Sequence, residues 1–150
     1  MKTLKRILLA EDDPKDIELT ISALSEYSLA NDIFVVRDGV EALDYLYRRG
    51  TFAQEPGGNP IVILLDLKMP KMDGIQVIKQ IKSDKHLQTI PVVVLTSSRE
   101  SQDLETCYQL GVNAYVVKPV KFKDFVDAVK GIGVFWAIIN EPPPKSIGIR

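Results

Sequence analysis

Apolar residues along the chain follow two alternating patterns. Short runs rich in β-branched residues occur at Arg6–Ala10, Ile33–Arg37, Ile61–Leu65, Pro91–Thr96 and Ala114–Val117. Between them, apolar side chains recur every three or four positions: Ile17, Ile21 and Leu24, then Val40, Leu43 and Tyr47, then Ile75, Ile78 and Ile81, then Leu104, Cys107 and Leu110. A last stripe comprises Phe122, Phe125, Val129 and Ile132. The first pattern predicts strands and the second amphipathic helices. Gly111 is the expected C-cap of the fourth helix. The runs at 61–65 and 92–95 are apolar throughout, as in parallel strands covered on both faces. Five strand-then-helix repeats with right-handed crossovers predict an α/β domain, a doubly wound five-stranded parallel sheet flanked by helices.

Two segments stand outside this rhythm. Arg49–Pro60 (RGTFAQEPGGNP) is rich in Gly and Pro and is expected to be a long loop. The stretch from Asn140 onward contains three consecutive prolines and is expected to leave the domain as an extended arm. The expected division is a folded domain over 1–139 and a Pro-rich tail over 140–150.

The 150 residues suit one domain, and 45% hydrophobic with 26% charged residues is a globular balance. A net charge of −1 gives no support for nucleic acid or an anionic membrane as the main partner. The apolar run after the basic start is short and ends in acids, which predicts neither a signal peptide nor a membrane span. A single cysteine, Cys107, cannot form an internal disulfide, so the expected address is cytoplasmic. Cys107 is expected to be a small core residue and His86, the sole histidine, an inert surface residue. One His and one Cys offer nothing to a zinc site or to Cys–His catalysis.

In a doubly wound sheet, ligands gather at the C-terminal ends of the strands. The first strand ends in Glu11, Asp12 and Asp13, the third in Asp66, the fourth in Thr96 followed by Ser97 and Ser98, and the fifth in Lys118 followed by Pro119. Carboxylates that converge repel by about 4 kcal/mol per pair at ~4 Å and an effective dielectric of ~20. Such a cluster calls for a cation, and an all-oxygen donor set suits Mg²⁺. A carboxylate beside Mg²⁺ can attack phosphorus and form an aspartyl phosphate. Phosphoryl transfer then asks mainly for positioning and charge neutralisation, which Asp66, Asp12 with Glu11, Lys118 and Thr96 can supply. Taken alone, the acidic triplet also reads as a solvated turn whose Asp caps a helix beginning at Pro14.

Four runs carry a resemblance. Ile7-Leu8-Leu9-Ala10-Glu11-Asp12-Asp13, Ile63-Leu64-Leu65-Asp66-Leu67-Lys68-Met69-Pro70-Lys71-Met72-Asp73-Gly74, Val92-Val93-Val94-Leu95-Thr96-Ser97-Ser98 and Gly111-Val112-Asn113-Ala114-Tyr115-Val116-Val117-Lys118-Pro119 resemble the hallmark segments of two-component receiver domains. The resemblance covers about residues 5 to 130 and implies a flavodoxin-like sheet of strand order 2-1-3-4-5 with five helices. It implies Asp66 as phospho-acceptor, Asp12 as a direct Mg²⁺ ligand, Glu11 acting partly through water, and the backbone carbonyl of Lys68 as a further ligand. Lys118 would contact the phosphoryl group, its bond to Pro119 being cis. Thr96 would swing to a phosphoryl oxygen and Tyr115 would reorient with it. Asp73-Gly74 would close the loop after the acceptor and start the next helix. The side chains of Lys68 and Ser98 would flank the attacking water.

The implied role is a signalling switch rather than an enzyme, phosphorylated by a histidine kinase. Too few residues follow the last stripe for a DNA-binding or enzymatic output domain, so a downstream protein is the expected target. The loop Arg49–Pro60, Glu41–Leu46 and the ending around Phe135-Trp136 resemble regulators partnered with phytochrome-type and similar hybrid kinases, relatives that often form homodimers. Phe135, Trp136, Ile138 and Ile139 either cap the core or face a partner. Two alternatives share part of this chemistry. Phosphatases working through an aspartyl phosphate usually place the nucleophile on the first strand, with a second Asp two residues on, where Lys68 stands here. A flavin module would need a Gly/Ser/Thr-rich first loop, where this chain has acids.

Overall fold

The computed structural model describes residues 6–25, 32–97 and 101–131. Five strands, β1 (Ile7–Ala10), β2 (Ile33–Val36), β3 (Val62–Asp66), β4 (Val92–Thr96) and β5 (Ala114–Val117), alternate with five helices. The helices are α1 (Pro14–Ser25), α2 (Gly39–Tyr47), α3 (Gly74–Lys82), α4 (Ser101–Gln109) and α5 (Phe122–Gly131). The strands pair in parallel in the order β2-β1-β3-β4-β5. The expected fold is therefore present, with strand ends within one residue of those read from the pattern. Ile132, Phe135, Trp136, Ile138, Ile139 and the segment 140–150 lie outside the described residues, so the expected tail and the ending of the domain find no test here.

The apolar strands feed two cores, because successive side chains point to opposite faces. Leu8, Ala10, Ile63, Leu65, Val92 and Val94 pack with α2 and α3 on one side. Ile7, Leu9, Val62, Leu64, Val93, Leu95 and Val116 pack with α1 and α5 on the other. A sheet clad on both faces has no use for polar alternation, which explains the unbroken runs. Cys107 is buried in the first core, and burial followed by the charge of Asp103 raises its thiol pKa. His86 is exposed, as expected.

Two local readings are corrected. Val40 belongs to no inward stripe: it is exposed, while Gly39, Ala42, Leu43, Tyr45 and Leu46 face the core. The reason is the helix start. Asp38 caps α2 by accepting from the Glu41 N–H at 2.7 Å, which sets Gly39 against the Met72 carbonyl and turns Val40 outward. The segment 49–60 is also more ordered than a plain loop. It contains a 3-10 turn at Gly50–Phe52, and the Arg48 guanidinium donates to the carbonyls of Pro56 and Gly58. Phe52 packs edge-on against Phe34 and Tyr45.

The start of α3 fixes the end of β3. Asp73 and Gln76 form a reciprocal capping box, and the Gly74 N–H donates to the Leu67 carbonyl at 2.8 Å. A Cβ at Gly74 would lie 2.5 Å from the Asp66 carbonyl oxygen and 2.7 Å from Leu67 Cα. Only glycine admits so close an approach to backbone. Gly74→Ala is expected to lose about 1–3 kcal/mol in urea denaturation, whereas Gly57→Ala, with open space around it, should change stability by less than about 0.5 kcal/mol.

Candidate functional site

Sheet order creates the crevice. Chain connections leave β1 toward β2 on one side and arrive at β3 on the other, so the C-terminal edge between β1 and β3 is the topological switch point. Ala10 pairs with Leu65, which puts Glu11 opposite Asp66 just at that edge. On the next strands Asp66 pairs with Leu95 and Thr96 with Val117. The Lys118 N–H donates to the Thr96 carbonyl at 2.8 Å, locking the fifth strand's end to the fourth.

The period of two then decides which side chains meet. Ile7 and Leu9 on β1, Val62 and Leu64 on β3, and Val116 on β5 all face the α1/α5 core. Continued by one step, the same parity carries Glu11, Asp66 and Lys118 to that same side. The result is a dense charged cluster. Lys118 Nζ lies 3.1 Å from Glu11 Oε1, 2.8 Å from Asp16 Oδ2 and 3.5 Å from Asp66 Oδ1. Ligand oxygens of Glu11, Asp12 and Asp66 lie within 4.8 Å of one another. Glu11 is fully buried and Asp66 is 5% exposed.

Burial without enough counter-charge shifts Glu11. Desolvation, then the charge of Asp66 and a hydrogen bond with it, push the Glu11 carboxyl up to about 7 against the opposing pull of Lys118. Burial acts to lower the Lys118 ammonium, but its bond to Asp16, the charge of Asp66 and its contacts with Glu11 outweigh that and raise it. Lys118 therefore stays a cation. Three carboxylates aimed at one point and only partly offset by it form a donor set suited to a hard divalent ion.

The remaining expected residues fall as follows. Thr96 is 3% exposed at the end of β4. Lys68 follows Asp66 with its side chain exposed and its N–H 3.5 Å from Asp66 Oδ1. The Lys118–Pro119 peptide is cis. Tyr115 stands apart from the cluster, 36% exposed on β5, its ring edge-on to Tyr108 at 6.0 Å. Ser98 lies outside the described residues. Asp13 leaves the chemistry to its neighbours: its Oδ1 accepts from the N–H groups of Lys15 and Asp16 and caps α1. The helix-cap reading of the triplet thus holds for Asp13 alone, while Glu11 is buried against Lys118.

Sequence reasoning missed Asp16. The available signal was its spacing, four residues before the buried Thr20 on the same face of α1. It also missed a brace behind the β3–α3 loop. Lys71, with φ +67°, pairs with the buried Asp38 at 3.6 Å, and Gly39 has no room for a Cβ beside the Met72 carbonyl.

Comparison with known proteins agrees with this geometry. Residues 7–130 match the family described as response regulator receiver domain. Response regulator Rcp1 of Synechocystis sp. is 39% identical over 132 residues, covering 88% of each chain. Its Mn²⁺-bound crystal form superimposes with a TM-score of 0.72, covering 89% of this chain and 95% of that one. The bacteriophytochrome response regulator RtBRR is 57% identical with a TM-score of 0.83, covering 97% of this chain and 87% of that one. The phosphorylated cyanobacterial phytochrome response regulator RcpA is 42% identical with a TM-score of 0.72, covering 87% of this chain and 92% of that one. The chain belongs to the response regulator receiver domain family, the aspartate-phosphorylated switches of two-component signalling.

Proposed function

We propose that Asp66 is the phospho-acceptor of this switch and that Mg²⁺ is its working metal. The observation that carries the reading is the convergence of Glu11, Asp12 and Asp66 oxygens within 4.8 Å, with the Lys118 ammonium 3.5 Å from Asp66. The Asp66 carboxylate attacks the phosphorus of a phosphohistidine in the kinase, the P–N bond breaks, and the electron pair leaves with the imidazole. Glu11, Asp12, Asp66 and the Lys68 carbonyl would hold the metal. When bound, Mg²⁺ neutralises the acids and draws charge from the phosphoryl group. Lys118 bonds one phosphoryl oxygen as a point charge.

Thr96 turns its hydroxyl to another phosphoryl oxygen. Tyr115, out on β5 against Tyr108, moves inward with it. The surface of α4, β5 and α5 is thereby biased between two arrangements that a downstream protein reads. To move such an equilibrium from 1:99 to 99:1 takes about 5.5 kcal/mol of preference. A phytochrome-type histidine kinase is the proposed donor, supported by the likeness to RtBRR and RcpA. No helix among the described residues is long and apolar enough to cross a membrane. The acceptor's place on the third strand, with Lys68 two residues later, supports the switch over the phosphatase reading.

Incubation with acetyl phosphate and Mg²⁺ should give a single acid-stable, hydroxylamine-labile adduct, read by intact-mass spectrometry. Asp66→Asn should abolish it, and an Asp66→Asn variant that labels as well as the parent refutes the assignment.

The elevated Glu11 carboxyl sets a pH dependence. Below about 7 the acid holds a proton that the metal must displace. Mg²⁺ affinity by calorimetry should be about tenfold weaker at pH 6 than at pH 8, with a proton released on binding. The sign for stability is opposite. A folded-state pKa above the unfolded one adds stability that is present below pH 4.5 and lost as pH rises through about 7. The metal-free melting temperature should therefore fall from pH 5 to pH 8, less so in Glu11→Gln.

A further inference from the structure

Lys118 is held by three acids, and these are not equivalent. Glu11 and Asp66 belong to the metal-binding cluster, whereas Asp16 does not. Asp16 makes the shortest of the three contacts, 2.8 Å to Nζ. It stands in the first turn of α1, a rigid element whose N-terminal end favours a carboxylate. The ammonium donates hydrogen bonds to Glu11 and Asp16, while its contact with Asp66 is an ion pair at 3.5 Å.

The contacts to Glu11 and Asp66 cannot persist unchanged once those oxygens serve a cation and a phosphoryl group. Without Asp16, a four-carbon lysine stem would then be tethered only by its backbone and free to swing toward solvent. We propose that Asp16 is a positioning residue for phosphoryl transfer, acting through Lys118: it keeps the ammonium over Asp66 through the steps in which the other two acids change partners. The inference rests on Asp66 being the acceptor. Asp16 touches neither phosphorus nor metal, so its effect is pre-organisation of the cation that meets developing charge. Asp13 contributes from behind, accepting from the Asp16 N–H at 3.2 Å and so fixing the turn that presents it.

The test compares Asp16→Ala and Asp16→Asn with the parent in acetyl phosphate labelling at saturating Mg²⁺. Asp16→Ala should slow labelling by about five- to tenfold. Asp16→Asn, which keeps an acceptor oxygen and the side-chain shape, should recover most of the rate. Adding Asp16→Ala to Lys118→Ala should slow the reaction no further than Lys118→Ala alone, because the two act as one unit. A second readout needs no metal or phosphoryl donor: the Lys118 ammonium resonance, visible by ¹⁵N NMR while the proton exchange of a held cation is slow, should broaden away in Asp16→Ala and persist in Asp16→Asn.

Labelling of Asp16→Ala within about twofold of the parent, additive slowing in the Lys118→Ala background, or no recovery in Asp16→Asn each overturns the inference while Asp66 stands as acceptor. Failure of the parent to label, or labelling of Asp66→Asn, removes the acceptor assignment and this inference with it.

Discussion

The structure is organised around one imbalance: among the described residues, four carboxylates and a single ammonium pack at the edge of a sheet. Glu11, Asp16 and Asp66 share Lys118, while Asp12 joins Glu11 and Asp66 with ligand oxygens within 4.8 Å of one another. Folding brings Glu11 and Asp66 out of water and leaves negative charge in excess around Lys118. The cost shows in Glu11, whose carboxyl is pushed up to about 7 by burial and by Asp66. A site in that condition gains from a divalent cation, which supplies the missing positive charge. It then gains further from any event that redistributes the charge, which is what phosphorylation of an aspartate does.

The fold supports that imbalance by making the surroundings stiff. Strand register puts Glu11 beside Asp66, and a backbone bond ties Lys118 to Thr96. Gly74 lets the first turn of α3 press on the backbone that carries Asp66. On the far side, the Lys71–Asp38 pair and the Gly39–Met72 contact brace the loop against α2. Packed interfaces of this kind move between discrete arrangements rather than deforming smoothly. A small shift at Asp66 can thus reach the outer surface near Tyr115, where the ring rests on Tyr108 rather than in the core.

Most of the fold was legible in the sequence because its signals are periodic. Unbroken apolar runs such as 62–65 and 92–95 mark strands covered twice, and each ends at a residue whose chemistry is exposed by the end of the run. The core of the site followed, since a doubly wound sheet has one place where strand ends converge. The features that escaped depend on contacts between side chain and backbone, which leave no period. Asp16 looks like an ordinary helix-start acid until Lys118 is seen to reach it. Arg48 looks like a surface cation, yet its guanidinium organises the carbonyls of Pro56 and Gly58 and lies over the Tyr45 ring at 4.4 Å. Val40 was misplaced because one residue of phase, set by the Asp38 cap and the tight Gly39 contact, separates the inward face of α2 from the outward one.

The most direct test of the account is an anomalous-scattering map of crystals grown with Mn²⁺, an ion that takes the same oxygen ligands as Mg²⁺. The account requires one strong peak at the C-terminal edge between β1 and β3, within bonding distance of carboxylate oxygens from both Asp12 and Asp66. A map with no peak there, or with those two carboxyl groups turned into separate surroundings, would contradict it.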